Sequence, residues 1–131
     1  MANNLIIAVD FDGTIVTHMY PEIGKDVPNA LRVLKHLQDQ GTKLILWTMR
    51  SGEELAQAVA YCESKGITLW GINQNPDQSS WSDSPKAYAP IYIDDAALGC
   101  PLLPDKSGSD RPMVNWREIE AILIRRGVLI R

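Results

Sequence analysis

Short apolar runs alternate with amphipathic segments along the chain. Four runs read as buried strands of a parallel sheet, because they are short and apolar throughout, and they lie at 5–9, 43–47, 67–72 and 90–93. Three segments repeat apolar residues every three or four positions, which predicts helices, and they lie at 28–41, 51–66 and 115–126. The order predicts an α/β fold, a Rossmann-like three-layer sandwich with a mostly parallel central sheet.

Capping residues mark the ends of the predicted helices. Pro28 is placed to begin the first helix and Gly41 to end it. Ser51 and Glu54 have the spacing of a capping box for the second helix. Asn115 is placed to cap the third. The connections between these elements are too short to divide the chain, so residues 1–131 are predicted to form one domain.

Composition narrows the class of protein. The net charge of −3 and the pI near 5.3 argue against a nucleic-acid partner. Cys62 and Cys100 have neither metal-site spacing nor the number of a disulfide framework. We see no basic, apolar leader segment and no run of about 18 apolar residues that could span a membrane. The expected location is the cytoplasm, without a membrane partner.

Two acids follow the first apolar run directly. Asp10 and Asp12 are two residues apart, and Gly13 predicts that the chain turns away just after them. Ligands of open α/β sheets bind at the carboxyl ends of the strands. This position therefore indicates a metal or phosphate site.

Further polar residues follow other strands. Thr48 and Arg50 come after the second run, whereas Asp94 and Asp95 come after the fourth, and Lys86 precedes that fourth run. Because parallel strands end at one edge of a sheet, we expect these side chains to meet the first two acids there. Lone examples of each pattern are common in turns and on surfaces, so the interpretation depends on their combination.

Four carboxylates at one edge would repel one another. Two like charges 4 Å apart cost about 4 kcal/mol at an effective dielectric constant near 20. A divalent cation with oxygen ligands would offset this repulsion, and Mg²⁺ fits because it keeps waters that a phosphate can replace. Thr48, Arg50 and Lys86 would then hold phosphate oxygens.

These motifs resemble those of the haloacid dehalogenase-like superfamily of phosphohydrolases. Its four motifs are matched by DFDGT at 10–14, LILWT at 44–48, SPK at 84–86 and IYIDD at 91–95. The similarity extends over most of the chain. The first and fourth motifs are specific together.

The resemblance implies a role for each acid. Asp10 would be the nucleophile that forms an aspartyl-phosphate and would also bind Mg²⁺. Asp12 would act as general acid and then general base, and its backbone carbonyl would reach the metal. Asp94 and Asp95 would anchor Mg²⁺ directly or through water, in an order the sequence leaves open.

The resemblance also implies that Thr48 and Lys86 bind the phosphoryl group during its transfer. Many relatives insert a cap domain after the first motif or before the lysine. A cap domain does not fit into either of the two corresponding segments of this chain, 14–28 and 72–86, because both are too short. The resemblance therefore implies an uncapped phosphatase. An open site either accepts a large phosphorylated substrate, a macromolecule included, or borrows a lid from another copy of the chain.

Three smaller points stay open at this stage. Residues 73–85 are either a small lid or a plain surface connection. Trp81 within them is interpreted as a packing residue, and His18 as an exposed one. The physiological substrate is not predicted.

Two rival functions use the same kinds of residue. A phospho-receiver signalling domain also combines acids, a threonine and a lysine, but its acid pair follows the first strand and its lysine comes last. A catalytically inactive relative that serves as a binding module is the second alternative. A calcium loop of the EF-hand type is excluded, because Pro21 stands where its twelfth residue must be glutamate.

Overall fold

A four-stranded parallel sheet forms the centre of the protein, in a computed structural model that describes residues 5–130. Its strands are β1 (Ile6–Val9), β2 (Lys43–Leu46), β3 (Gly71–Ile72) and β4 (Ile91–Ile93). A separate two-stranded sheet consists of β5 (Leu102–Leu103) and β6 (Met113–Val114). The helices are α1 (Ala30–Asp39), α2 (Gly52–Ser64) and α3 (Trp116–Arg125), with a 3₁₀ turn at Gln78–Ser80. Within residues 5–130, none of the helices has the length and apolarity that a membrane crossing requires.

The strand order brings the site-bearing strands together. The order across the sheet is β3-β2-β1-β4, and every pairing in it is parallel. The carboxyl ends of β2 and β4 therefore flank that of β1. The predicted fold class is confirmed: a Rossmann-like α/β sandwich without a cap.

Alternation along the strands divides the core between the two faces of the sheet. Ile7 and Val9 of β1 point toward the helices, where they join a large buried cluster. Ala8 points the other way and joins a smaller cluster with Ile45 and Ala89. Ala89 belongs to the segment before β4, so that segment covers the second face.

Three local features differ from the sequence predictions. The third strand has two residues rather than six. A small antiparallel hairpin, β5 with β6, was missed because its strands have only two residues each and border a loop rich in Pro, Gly and Ser. Ser51 precedes α2, but its side chain makes no capping hydrogen bond, so the predicted capping box is not formed. The φ of Gly52 is 55°, a left-handed conformation that departs from capping-box geometry.

The carboxyl-terminal part of the chain fixes the loop that follows β1. Asn115 caps α3 as predicted, its side chain accepting a hydrogen bond from the Glu118 amide at 3.2 Å. The Val114 amide donates to the Gly13 carbonyl at 2.9 Å. The Trp116 indole, fully buried, donates to the Thr14 carbonyl at 2.6 Å. The start of α3 thus sets the position of the loop that carries the first acids.

Candidate active site

A cavity of about 480 Å³ opens at the carboxyl ends of β1, β2 and β4. Most of its lining side chains are polar or charged. They are Asp10, Asp12, His18, Tyr20, Thr48, Met49, Arg50, Asp94, Asp95, Ala96 and Arg111. The four predicted acids, Thr48 and Arg50 are therefore brought together, as expected from strand ends that share one edge.

Three carboxylates converge at the floor of the cavity. Asp10, Asp94 and Asp95 each offer one oxygen, and these oxygens lie within 4.8 Å of one another. The Asp10 amide donates to the Ile93 carbonyl at 2.9 Å, which fixes β1 against β4 at this point. The Thr14 hydroxyl donates to Asp10 Oδ2 at 3.0 Å and accepts from the Asp95 amide at 3.3 Å. The loop of the first motif thus ties the two strand ends together.

His18 belongs to this cluster, which corrects the expectation of an exposed histidine. Its Nε2 lies 2.8 Å from Asp95 Oδ2, and its side chain is only 11% exposed. The close packing depends on Gly13, whose φ is 81°. A Cβ at that position would lie 2.7 Å from Asp95 Oδ2 and would also overlap the His18 ring. The glycine of the first motif therefore leaves room for the His18–Asp95 contact.

The crowding of acids changes their protonation. Burial, then the hydrogen bond with Asp95 and the charges of Asp94 and Asp95, raises the pKa of Asp10 from 3.8 to about 8. Burial alone would raise the pKa of Asp95 as well, but hydrogen bonds from Asp10 and His18 outweigh it and lower that pKa. In the absence of a cation, Asp10 therefore carries a proton at neutral pH.

This shift predicts a pH-dependent stability for the metal-free protein. Folded Asp10 keeps its proton up to about pH 8, whereas the unfolded chain releases it near 3.8. Since the folded state binds more protons in this window, the free energy of unfolding should fall as pH rises from about 4 to 8. Urea unfolding in chelator across this range checks it, and the fall should be much smaller in Asp10→Asn. If the free energy of unfolding of Asp10→Asn falls as much as that of the wild type, groups other than Asp10 cause the pH dependence.

The acidic cluster fits a hard divalent cation. Its three side-chain donors are all carboxylate oxygens, the ligand type that Mg²⁺ and Ca²⁺ prefer over softer metals. Burial first, and then the neighbouring Asp95 and Asp94, raise the pKa of Asp10, and a bound cation would counteract these effects. Asp12 is not among the three, because its carboxylate faces elsewhere. The resemblance assigns only its backbone carbonyl to the metal.

The Asp12 carboxylate is held by Arg50. The guanidinium Nε and Nη2 donate to its two oxygens, each at 2.8 Å. The remaining donors reach the backbone carbonyls of Pro21, Glu22 and Glu54 at 3.1, 2.8 and 3.4 Å. All five N–H groups of Arg50 are therefore occupied. Arg50 lines the cavity as expected, and its phosphate contact stays a prediction; in this structure its donors are used by Asp12 and by backbone carbonyls.

Removing this pair should destabilise the protein strongly. Arg50→Ala leaves the Asp12 carboxylate, only 17% exposed, without its partner, and we expect a loss of about 3 kcal/mol in the free energy of unfolding. The matched control is Arg32→Ala, which breaks an exposed pair with Glu120 and should cost less than about 1 kcal/mol. Urea unfolding measures both. Equal losses would mean that the Arg50 pair contributes no more than a surface ion pair.

Thr48 lines the cavity, but Lys86 does not. The Thr48 amide donates to Asn73 Oδ1 at 2.8 Å, and its hydroxyl accepts from the Arg50 amide at 3.1 Å. The Lys86 side chain is exposed, with its ammonium 5.1 Å from the centroid of the Tyr92 ring. The structure therefore does not bring this lysine to the acids, although it precedes β4 as the third motif requires.

The 73–85 segment forms a braced connection beside the site. None of its residues lines the cavity. The buried Gln78 amide group donates to the Lys86 carbonyl at 2.9 Å and accepts from the Tyr88 amide at 2.7 Å. Trp81, interpreted from sequence as a packing residue, is 61% exposed and meets Tyr88 edge to face. These contacts describe a surface connection rather than a lid over the acids.

Sequence reasoning missed Arg111, a charged residue of the cavity lining. Arg111 comes from the loop between β5 and β6, two residues before β6. Its charge contributes to the lowered pKa of Asp95. The local sequence, an arginine in a Pro- and Ser-rich loop, gives no signal of this position. Only the pairing of β6 with β5 and its bond to Gly13 bring it to the cavity.

Comparison with known proteins gives one solved structure of similar sequence and fold. It is that of a conserved protein from Bacteroides thetaiotaomicron, 37% identical, with a TM-score of 0.76. The alignment covers 95% of this chain and 93% of that one. No protein-family model matches the chain, and no curated protein matches it.

Proposed function

We propose that this chain, which belongs to the same family as the conserved Bacteroides thetaiotaomicron protein, is a magnesium-dependent phosphatase of the haloacid dehalogenase-like type. The observation that carries the proposal is the convergence of Asp10, Asp94 and Asp95, with Asp12 and Thr48 in the same cavity. The motif resemblance alone rests on sequence order. The cavity adds that the same residues share one concave surface at the strand ends.

The first chemical step would belong to Asp10. A carboxylate oxygen attacks the phosphorus of a phosphate monoester, so that an O–P bond forms and the bond to the leaving alcohol breaks. The alcohol oxygen takes a proton from Asp12. The hydroxyl of Thr14, which donates to Asp10 Oδ2, orients the nucleophile. Thr48 lies on the β2 side of the cavity, where its hydroxyl would bind a phosphoryl oxygen.

The second step would use Asp12 in the opposite sense. Asp12 takes a proton from a water molecule, whose oxygen attacks the aspartyl-phosphate and releases inorganic phosphate and free Asp10. Arg50 holds Asp12 in place through two hydrogen bonds. A proton carried on either Asp12 oxygen weakens the bond that this oxygen accepts. The acid and base forms of Asp12 should therefore differ in how tightly Arg50 holds them.

Mg²⁺ would be held by Asp10, Asp94 and Asp95, with the Asp12 carbonyl as the resemblance implies. When bound, it supplies positive charge that offsets the negative charge of the phosphoryl group and of the acids. The acids themselves provide the reason for a cation, because without one Asp10 is protonated at neutral pH and is not a nucleophile.

The proposed substrate class is a phosphate monoester with an accessible phosphate. No element of the described chain covers the cavity as a cap, and two exposed apolar side chains, Tyr20 and Met49, stand at its rim. Met49 is 98% exposed, an unusual position for a large apolar residue beside an acidic cavity. Such a rim suits the apolar part of a leaving group.

The direct test is hydrolysis of an aryl phosphate, such as para-nitrophenyl phosphate, by purified protein in Mg²⁺, followed by a panel of phosphorylated metabolites. Steady turnover supports a phosphatase. A phospho-receiver would instead accumulate a long-lived acyl phosphate after one equivalent of donor, and an inactive binding module would release no alcohol. The position of Asp12 beside Asp10 favours turnover, because a base is available for hydrolysis.

A further inference from the structure

The cavity is short of cations that are free to bind a phosphate. All the donors of Arg50 are occupied by Asp12 and by backbone carbonyls. His18 is bonded to Asp95, and Lys86 lies outside the cavity. A phosphate dianion that enters would therefore meet mainly carboxylates on the protein side. A metal ion would offset part of this charge, but the rim needs a donor of its own.

Arg111 has the properties of that donor. Within residues 5–130, its guanidinium makes neither a hydrogen bond nor an ion pair, and the side chain is exposed at the cavity. A guanidinium presents a planar fork of donors that matches two phosphate oxygens at once. An exposed arginine in ordinary loops more often has only solvent around it, but this one lines a concave acidic site.

The backbone around Arg111 is fixed relative to the nucleophile. Val114, three residues further along, donates to the Gly13 carbonyl in the loop of the first motif. On the other side, the Arg111 amide donates to Ser109 Oγ at 3.1 Å, which closes a turn just before it. The β5–β6 pairing holds both ends of the loop. Arg111 therefore stands at a defined place in the cavity lining, where its charge acts on Asp95.

We propose that Arg111 is a substrate-binding residue that holds oxygens of the substrate phosphate from the rim of the cavity, in the place that sequence reasoning gave to Arg50 and Lys86. This inference rests on the proposed phosphatase function for its biological meaning. Its physical content, a phosphate contact, can be measured without turnover.

The test measures binding of inorganic phosphate, the expected product, by titration calorimetry in Mg²⁺. Arg111→Ala should weaken phosphate binding about 10- to 100-fold, since a charge-assisted bidentate contact is lost, and Arg111→Lys should fall between it and the wild type. Arg117→Ala is the control, because Arg117 is exposed on α3 and does not line the cavity. In aryl phosphate hydrolysis, Arg111→Ala should raise KM more than it lowers kcat.

The outcomes separate the two proposals. Weakened binding in Arg111→Ala with unchanged binding in Arg117→Ala supports the inference. Binding equal to wild type in Arg111→Ala overturns it and leaves the phosphatase proposal standing if turnover persists. Wild-type protein that neither binds phosphate nor hydrolyses the ester overturns both. Circular dichroism of each variant checks folding, which an exposed loop substitution should not alter.

Discussion

Replacing Asp10 with asparagine should reduce hydrolysis of a phosphate ester by about 1,000-fold or more, because the amide oxygen is a poor nucleophile and no aspartyl-phosphate can form. The side chain keeps its size, so the fold should be retained. Asparagine also cannot ionise beside Asp94 and Asp95. The metal-free variant should therefore be at least as stable as the wild type at pH 8, where ionised Asp10 would be repelled by its neighbours.

The matched control for this variant is Asp39→Asn. Asp39 is exposed at the end of α1 and lies outside the cavity, so its replacement removes the same charge without touching the site. Steady-state rates and urea unfolding of both variants separate a chemical effect from a charge effect. Turnover near the wild-type rate in Asp10→Asn would refute the nucleophile assignment, whatever its stability.

Removal of divalent cations should have the second-largest effect. We expect EDTA to lower the rate by about 100-fold or more and excess Mg²⁺ to restore it. Without a cation Asp10 keeps its proton and cannot attack phosphorus, and the phosphate would meet the Asp94 and Asp95 carboxylates without a neutralising charge. Mg²⁺ should also raise Tm, since it binds the folded cluster and not the unfolded chain.

Asp94→Asn and Asp95→Asn refine this experiment. Each removes one of the three oxygen donors, and the larger loss of Mg²⁺ affinity identifies the acid that ligates more directly. Asp95 also contacts His18 and Thr14, so its variant should lose more stability as well. Unchanged activity in EDTA, with no change of Tm on adding Mg²⁺, would be incompatible with a metal-dependent enzyme.

The sequence predicted the parallel sheet and the acidic cavity because both follow from local rules. Apolar runs specify buried strands, and residues just after parallel strands must share one edge. Asp10, Asp12, Thr48, Asp94 and Asp95 were therefore placed correctly in the cavity. These positions depend on the order and length of the strands, and both can be predicted from short-range sequence patterns.

The positions of the basic side chains depended on contacts between distant segments. Arg50 follows β2, yet its donors are used by Asp12 and by the segment at 21–22, which no spacing rule brings to it. His18 is turned toward Asp95, 77 positions later in the chain. Arg111 reaches the cavity through a hairpin of two-residue strands, too short to carry a periodic signal. Side-chain partners of this kind are properties of the folded state.

The bonds from Val114 and Trp116 to the carbonyls of Gly13 and Thr14 have a consequence for biosynthesis. Asp10 and its loop are synthesised about a hundred residues before the groups that fix that loop. A nascent chain that ends before β6 lacks both donors, while the four strands of the central sheet and the first two helices are already complete. Under the proposed phosphatase function, catalytic competence should therefore arise late and abruptly during synthesis, when α3 docks, and a chain terminated before β6 should hydrolyse phosphate esters poorly.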